Sequence, residues 1–156
     1  MTIARRLKSY LDEQGLAYEI LPHRRTTNSL DTAHAAHVPR NRVAKAVLLE
    51  DERGYMMAIV PASRRIAFDR IEQQLGRSLE LASETDLEHL FIDCEFGAVP
   101  PIGDAYGIPT LIDDELLAAR DVYFEAGDHE DLVHMDGATF AVLLGRAKHG
   151  QISRHD

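Results

Sequence analysis

VAKAVLLEDERGYMMAIVP, Val43 to Pro61, reads as two apolar runs joined by a short polar turn. The runs 43–50 and 55–61 are each long enough for a buried strand, and DERG with its glycine makes a tight connection. A hairpin is therefore expected, with both strands largely buried. Lys45 interrupts the pattern, with Ala44 and Ala46 beside it. Lysine is rarely buried without a partner. An edge-strand lysine reaching out to solvent and a cation aimed into a pocket, where it would hold a phosphate or carbonyl oxygen, both fit.

Working outward, Ile3, Leu7, Tyr10 and Leu11 recur at helical spacing and Gly15 follows as a stop. AYEIL (17–21) reads as a short strand and HRRTTNS (23–29) as polar loop, with Ser29 as N-cap of the Ala-rich helix LDTAHAAH. After the hairpin come a helix over 69–76 opened by Asp69, a short strand LELA, and a helix over 83–90 with Ser83 and Asp86 at capping-box spacing. FGAVPPIG (96–103) is loop. PTLID (109–113) precedes a short acidic helix near DELLAA. The strands DVYFEA (121–126) and LVHM (132–135) flank the turn GDHED, and Asp136 caps a last helix. Residues from about 147 to 156 are expected to fray. Strands and helices are interspersed without βαβ alternation, which predicts one α+β domain over 1–156 with a mixed sheet.

The chain has 156 residues and a net charge of −9, which argues against generic nucleic-acid binding. The charge is uneven: residues 1–80 sum to +3 and residues 81–156 to −12. Arginine pairs at 5–6, 24–25 and 64–65 are solvated surface or a local phosphate-facing patch. The single cysteine, Cys94, leaves no disulfide framework. With no apolar run near the ~20 residues of a membrane span, and no signal peptide, a cytoplasmic protein is expected.

No nucleophile elbow, phosphate loop, dinucleotide fingerprint or HExxH is present, so neither an organic cofactor nor a bound metal is expected. GAVPP (97–101) constrains its backbone. It is either a rigid connecting turn or a ligand-facing wall whose N–H groups orient water or an oxyanion. His129, in the GDHE turn, is either simply exposed or a proton-transfer group.

Taken in order, VAKAVLL, YMMAIVPASRRI, LGRSLELASETDLEHLF, GAVPP, PTLIDDELL and VYFEAGDHEDLVHM resemble the YbaK/prolyl-tRNA-synthetase-associated domain family of aminoacyl-tRNA deacylases, from about Leu7 to Leu144. The resemblance implies a strongly curved mixed sheet flanked by short helices. It implies hydrolysis of the ester joining a wrong amino acid to the 3′-terminal adenosine of tRNA, without metal or cofactor. Lys45 matches the family's active-site lysine, and Gly97 and Pro101 match its GxxxP loop. His129 stands where some members keep a pocket histidine, and the loop with Thr26, Thr27 and Ser29 resembles one lining the pocket. Ala98, Val99, Pro100, Gly127 and Asp128 complete the expected substrate-binding set, with Met57 a further candidate for the wall. FIDCEFG departs from the family's glycine-containing stretch and puts Asp93 and Glu95 near the pocket mouth. The partners implied are the 3′ end of aminoacyl-tRNA and a synthetase, not DNA or a membrane. A non-catalytic module binding the same partners is the alternative.

Overall fold

The computed structural model describes residues 4–95 and 98–155. The hairpin forms as expected, from β2 (Val43–Asp51) and β3 (Gly54–Pro61), with Lys45 opposite Val60 and Asp51 opposite Gly54. Around it lie β1 (Glu19–Pro22), β4 (Arg64–Ile66), β5 (Glu80–Leu81), β6 (Thr110–Asp113), β7 (Asp121–Glu125), β8 (Asp131–Asp136), β9 (Lys148–Gly150) and β10 (Ser153–His155). The large sheet runs β1-β8-β7-β2-β3-β6-β9, and β5 also pairs with β2. β2–β7, β3–β6 and β6–β9 are parallel and the other pairs antiparallel, so the sheet is mixed. β10 and β4 form a second, two-stranded sheet.

Alternation along the central strands sends side chains to two cores. Ala44, Leu48, Met57 and Ile59 pack with Leu7 and Leu11 of α1 (Arg5–Gln14), Leu116 of α5 (Asp114–Leu117) and Phe140 of α6 (Gly137–Leu143). Leu49, Met56, Ala58 and Val60 pack on the other face with Ile71 of α3 (Phe68–Leu75), Leu79 and Ile152. Each large side chain so buried contributes roughly 1.5–3 kcal/mol, so the hairpin, covered on both faces, organises the domain.

The predicted helix ends mostly hold. Gly15 ends α1 in the left-handed region at φ 63°, and the Ser83 and Asp136 side chains cap α4 (Glu84–Leu90) and α6. Two expectations shift. The α2 helix (Ser29–Ala35) is capped by Asn28, whose Oδ1 accepts the Asp31 N–H, not by Ser29. Asp69 lies inside the first turn of α3, which starts from Ala67 without a side-chain cap.

The expected fraying from residue 147 is not what the structure shows. β9 extends the large sheet beside β6, β10 pairs with β4, and Ile152 and Ser153 are fully buried. The Asp113 carboxylate accepts the Ile152 N–H at 3.1 Å and the Ser153 hydroxyl at 2.7 Å. One apolar residue, the Asp113 carboxylate and long-range backbone pairing hold this segment, and none leaves a local periodic signal.

At the β1 edge, the His134 imidazole bridges Glu19 through Nδ1 and Asp121 through Nε2, and stacks on Tyr123. Burial pulls its pKa down, but the two carboxylates outweigh that and hold it above the usual value. Stability from this bridge is therefore present below the ordinary histidine pKa, and is lost as pH rises through the raised one. Urea unfolding of wild type and His134→Gln at pH 6 and pH 8.5 should show a difference of ~0.5–1 kcal/mol at the lower pH that shrinks at the higher.

Candidate active site

The sheet splits beside Lys45. On the side of β2 away from β3, β7 pairs only with Val43 and Ala44, and β5 pairs only with Leu49 and Glu50. Among the described residues no strand pairs with that edge over residues 45–48. Extending the β2–β7 register by one residue sets Lys45 beside Glu125, where the strands part. A cavity of about 370 Å³ opens there, lined by both side chains with Thr27, Ser29, Ala62 and Val99 among others. That size lies at the small end of ligand pockets, roughly 300–1,000 Å³. Ala44 and Ala46 also line it, and their short side chains leave the space.

Two loops line this opening and a third is bonded to them from behind. The polar loop before α2 supplies Thr27 and Asn28, which also caps α2, and Ser29 in the first turn of α2 lines the cavity beside them. Thr26 does not line it: its hydroxyl is buried against that of Thr32, and its N–H donates to the His129 carbonyl. In the second loop Val99 reaches the cavity, whereas Ala98, Pro100 and Pro101 are buried behind it. The expectation for Gly97 falls outside the described residues. The third loop is the β7–β8 turn. Gly127 has φ 105°, and a Cβ there would stand 2.8 Å from that of Ala4, so only glycine fits without a shift. Asp128 is buried and caps the turn, its Oδ1 accepting the N–H groups of Glu130 and Asp131. His129 is 4% exposed with φ 60°, which corrects the reading of an exposed turn histidine.

Arg25 ties the three loops together. Its guanidinium donates to both oxygens of Glu95 and to the Asp128 carbonyl, and Glu130 lies 4.0 Å away. The Glu95 N–H donates to the Gly127 carbonyl at 2.7 Å. Glu95 thus serves as a clasp for the pocket loops. Met57 is fully buried in the core and is not part of the wall.

Glu125 was not singled out from the sequence. It is 3% exposed, with His23 Nε2 4.0 Å from one carboxylate oxygen. Burial pushes its pKa up, partly offset by Thr32 and by the His23 and His129 imidazoles. The available signal was an acid inside an otherwise apolar strand, VYFEA. Cys94 sits between Asp93 and the Tyr106 hydroxyl, and burial pushes its thiol up to about 12. The thiolate a nucleophile needs is disfavoured there. Among the described residues no three His, Cys, Asp or Glu side chains group as a metal site, and no helix is long and apolar enough to cross a membrane.

Asp131, beside Asp128, is pushed up to about 6 by burial and by the neighbouring carboxyl. Its raised pKa favours the protonated fold at low pH, and that advantage is lost as pH rises from about 4 through 6. Asp131→Asn should therefore stabilise the protein at pH 7.5 by about 1 kcal/mol after allowance for solvent screening. The gain corresponds to roughly 2–4 °C in Tm and should vanish near pH 4, as thermal melts at the two pH values would show.

The chain is a single α+β domain whose mixed sheet opens around a lysine-bearing cavity lined by two loops, a candidate small-ligand site. The chain belongs to the aminoacyl-tRNA editing domain family, whose sequence model matches residues 23–142. No curated protein sequence gives a significant match. Three solved structures share the fold. A hypothetical protein, APE2540, has a TM-score of 0.84 at 19% identity, covering 96% of this chain and 100% of its own. A proposed trans-editing enzyme for prolyl tRNA synthetase has 0.82 at 23%, covering 97% and 96%. A scaffold protein from a study of epitope grafting has 0.81 at 20%, covering 98% and 97%.

Proposed function

We propose that this protein is an aminoacyl-tRNA deacylase that hydrolyses the ester of mischarged tRNA in trans. The supporting observation is the cavity at the sheet split, which gathers Lys45, Thr27, Ser29 and Val99 in a member of the editing-domain family. In this reading the terminal aminoacyl-adenosine occupies the cavity, and Lys45 anchors its carbonyl oxygen or the nucleotide. Water attacks the carbonyl carbon, the bond to the adenosine 3′-oxygen breaks, and that oxygen takes up a proton. The GAVPP backbone, Gly97 included, orients water and carbonyl, and the substrate's 2′-hydroxyl assists. His129 supports the pocket from the third loop. Such a mechanism works by orientation and fixed dipoles and needs no protein nucleophile.

Ala44, Ala46, Ala62 and Val99 leave room for a small acyl side chain such as that of alanine, serine or cysteine. One methylene is worth only ~1–3 kcal/mol in binding, which is why a second, hydrolytic sieve improves fidelity. A panel of tRNAs mischarged with small and large amino acids tests the reading. Release of the small residues should be at least about tenfold faster than that of leucine or phenylalanine. Rates independent of side-chain size would contradict the proposed pocket. Competition by uncharged tRNA separates recognition of the tRNA body from hydrolysis of any small aminoacyl ester.

A further inference from the structure

A second cavity, of about 580 Å³, shares Lys45 with the first and runs along β4, β10 and the start of α3. Its lining includes Arg65, Phe68, Asp69, Leu81 and Arg154. Phe68 is 40% exposed and Leu81 62%, so a ring and an aliphatic chain face solvent beside three cations. The β4–β10 register sets Arg65 directly opposite Arg154. Directly opposed residues of an antiparallel pair share a face, and like charges placed so are destabilising. Arg154 is compensated by Asp69, both of whose oxygens accept from its Nη2, at 2.7 and 2.8 Å. Arg65 is exposed, and no acid pairs with it among the described residues. This arginine pair, in a chain of net charge −9, lies beside the pocket and depends on a C-terminal strand beyond the family match. Cations that repel one another next to an exposed ring suit a ligand carrying both phosphates and flat bases.

We propose that this groove takes the single-stranded 3′ end of an RNA, a base stacking on Phe68 and the phosphates lying on Arg65 and Arg154, on the way to the Lys45 cavity. The direction of the strand rests on the deacylase reading; the binding does not. The test uses a 5′-fluorescein RNA hairpin, uncharged, with a few unpaired 3′ nucleotides, compared with the same hairpin made blunt. Anisotropy at low salt should show the overhang bound about tenfold more tightly. Arg65→Glu and Phe68→Ala should each weaken it by about tenfold, and Arg65→Glu should flatten the salt dependence by ~0.7 in the log–log slope. Arg65→Glu replaces a like-charge pair by an opposite one, so its Tm should be no lower than wild type. Weakened binding in a protein of equal or higher Tm therefore cannot be unfolding. Equal affinity for blunt and overhanging RNA, wild-type affinity of Arg65→Glu, or no RNA binding at all would overturn the proposal. Overhang binding without any ester hydrolysis would sink the deacylase and leave the groove standing.

Discussion

Lys45→Ala is expected to slow release of amino acid from a mischarged tRNA by ~100-fold or more, in the range of losing one preorganised charge or donor at an active site. The size of the effect follows from where the lysine stands. It leaves the sheet at the point where β7 and β2 part, half-buried, with Glu125 at its side and alanines on either flank. A cation in such a partly dry place interacts with a developing oxyanion far more strongly than in water. Lys45→Arg should not restore the rate, because the planar fork is larger and differently hydrated than a compact ammonium. Far-ultraviolet circular dichroism and melting of both variants establish that the fold survives. Undiminished hydrolysis by folded Lys45→Ala would remove the lysine from the mechanism.

The second large effect concerns stability. Asp113→Ala should destabilise the protein by about 3 kcal/mol, seen as a Tm lower by roughly 6–12 °C. Asp113 is 3% exposed and serves three donors: the Glu115 N–H, which it caps at the start of α5, the Ile152 N–H and the Ser153 hydroxyl. Removing the carboxylate leaves buried donors unmet and loosens the C-terminal strands. Limited proteolysis should then cut after residue 147 before the rest of the domain. A variant that melts like wild type and resists such cleavage would show that Ile152 and the strand pairing suffice to hold the tail.

Much of the architecture could be read from local pattern. The hairpin declared itself through two apolar runs around DERG, and α1, α4 and α6 through Gly15, Ser83 and Asp136. These signals are local, since a turn or cap acts within a few residues. What stayed hidden depends on chain segments far apart. The tail looked frayed because its anchor is Asp113, some forty residues upstream. Asn28 and Ser29 are adjacent and equally able to cap, and only the fold decides that Asn28 takes the amide and that both line the cavity. Glu125 carried the same kind of signal as Lys45, a charge among apolar strand neighbours, but its place beside the cavity follows only from the pairing of β7 with β2. Thr26, Asp128 and Gly127 were expected to bind substrate, but none of them lines the cavity, and their contacts hold the loops behind it.

The loops that wall the cavity depend on one another through the Arg25–Glu95 clasp and the Glu95 N–H to Gly127 carbonyl bond. That coupling suits a site whose chemistry comes from placement of water and carbonyl more than from a reactive side chain. Turnover distinguishes a hydrolase from a module that only holds its ligand, because the two predict different stoichiometry. With small-residue mischarged tRNA in large excess over protein, amino acid released per molecule of protein should rise linearly well past one equivalent. Release that stops at one equivalent or never begins, while the tRNA remains bound, would contradict the account and identify the protein as a binding module.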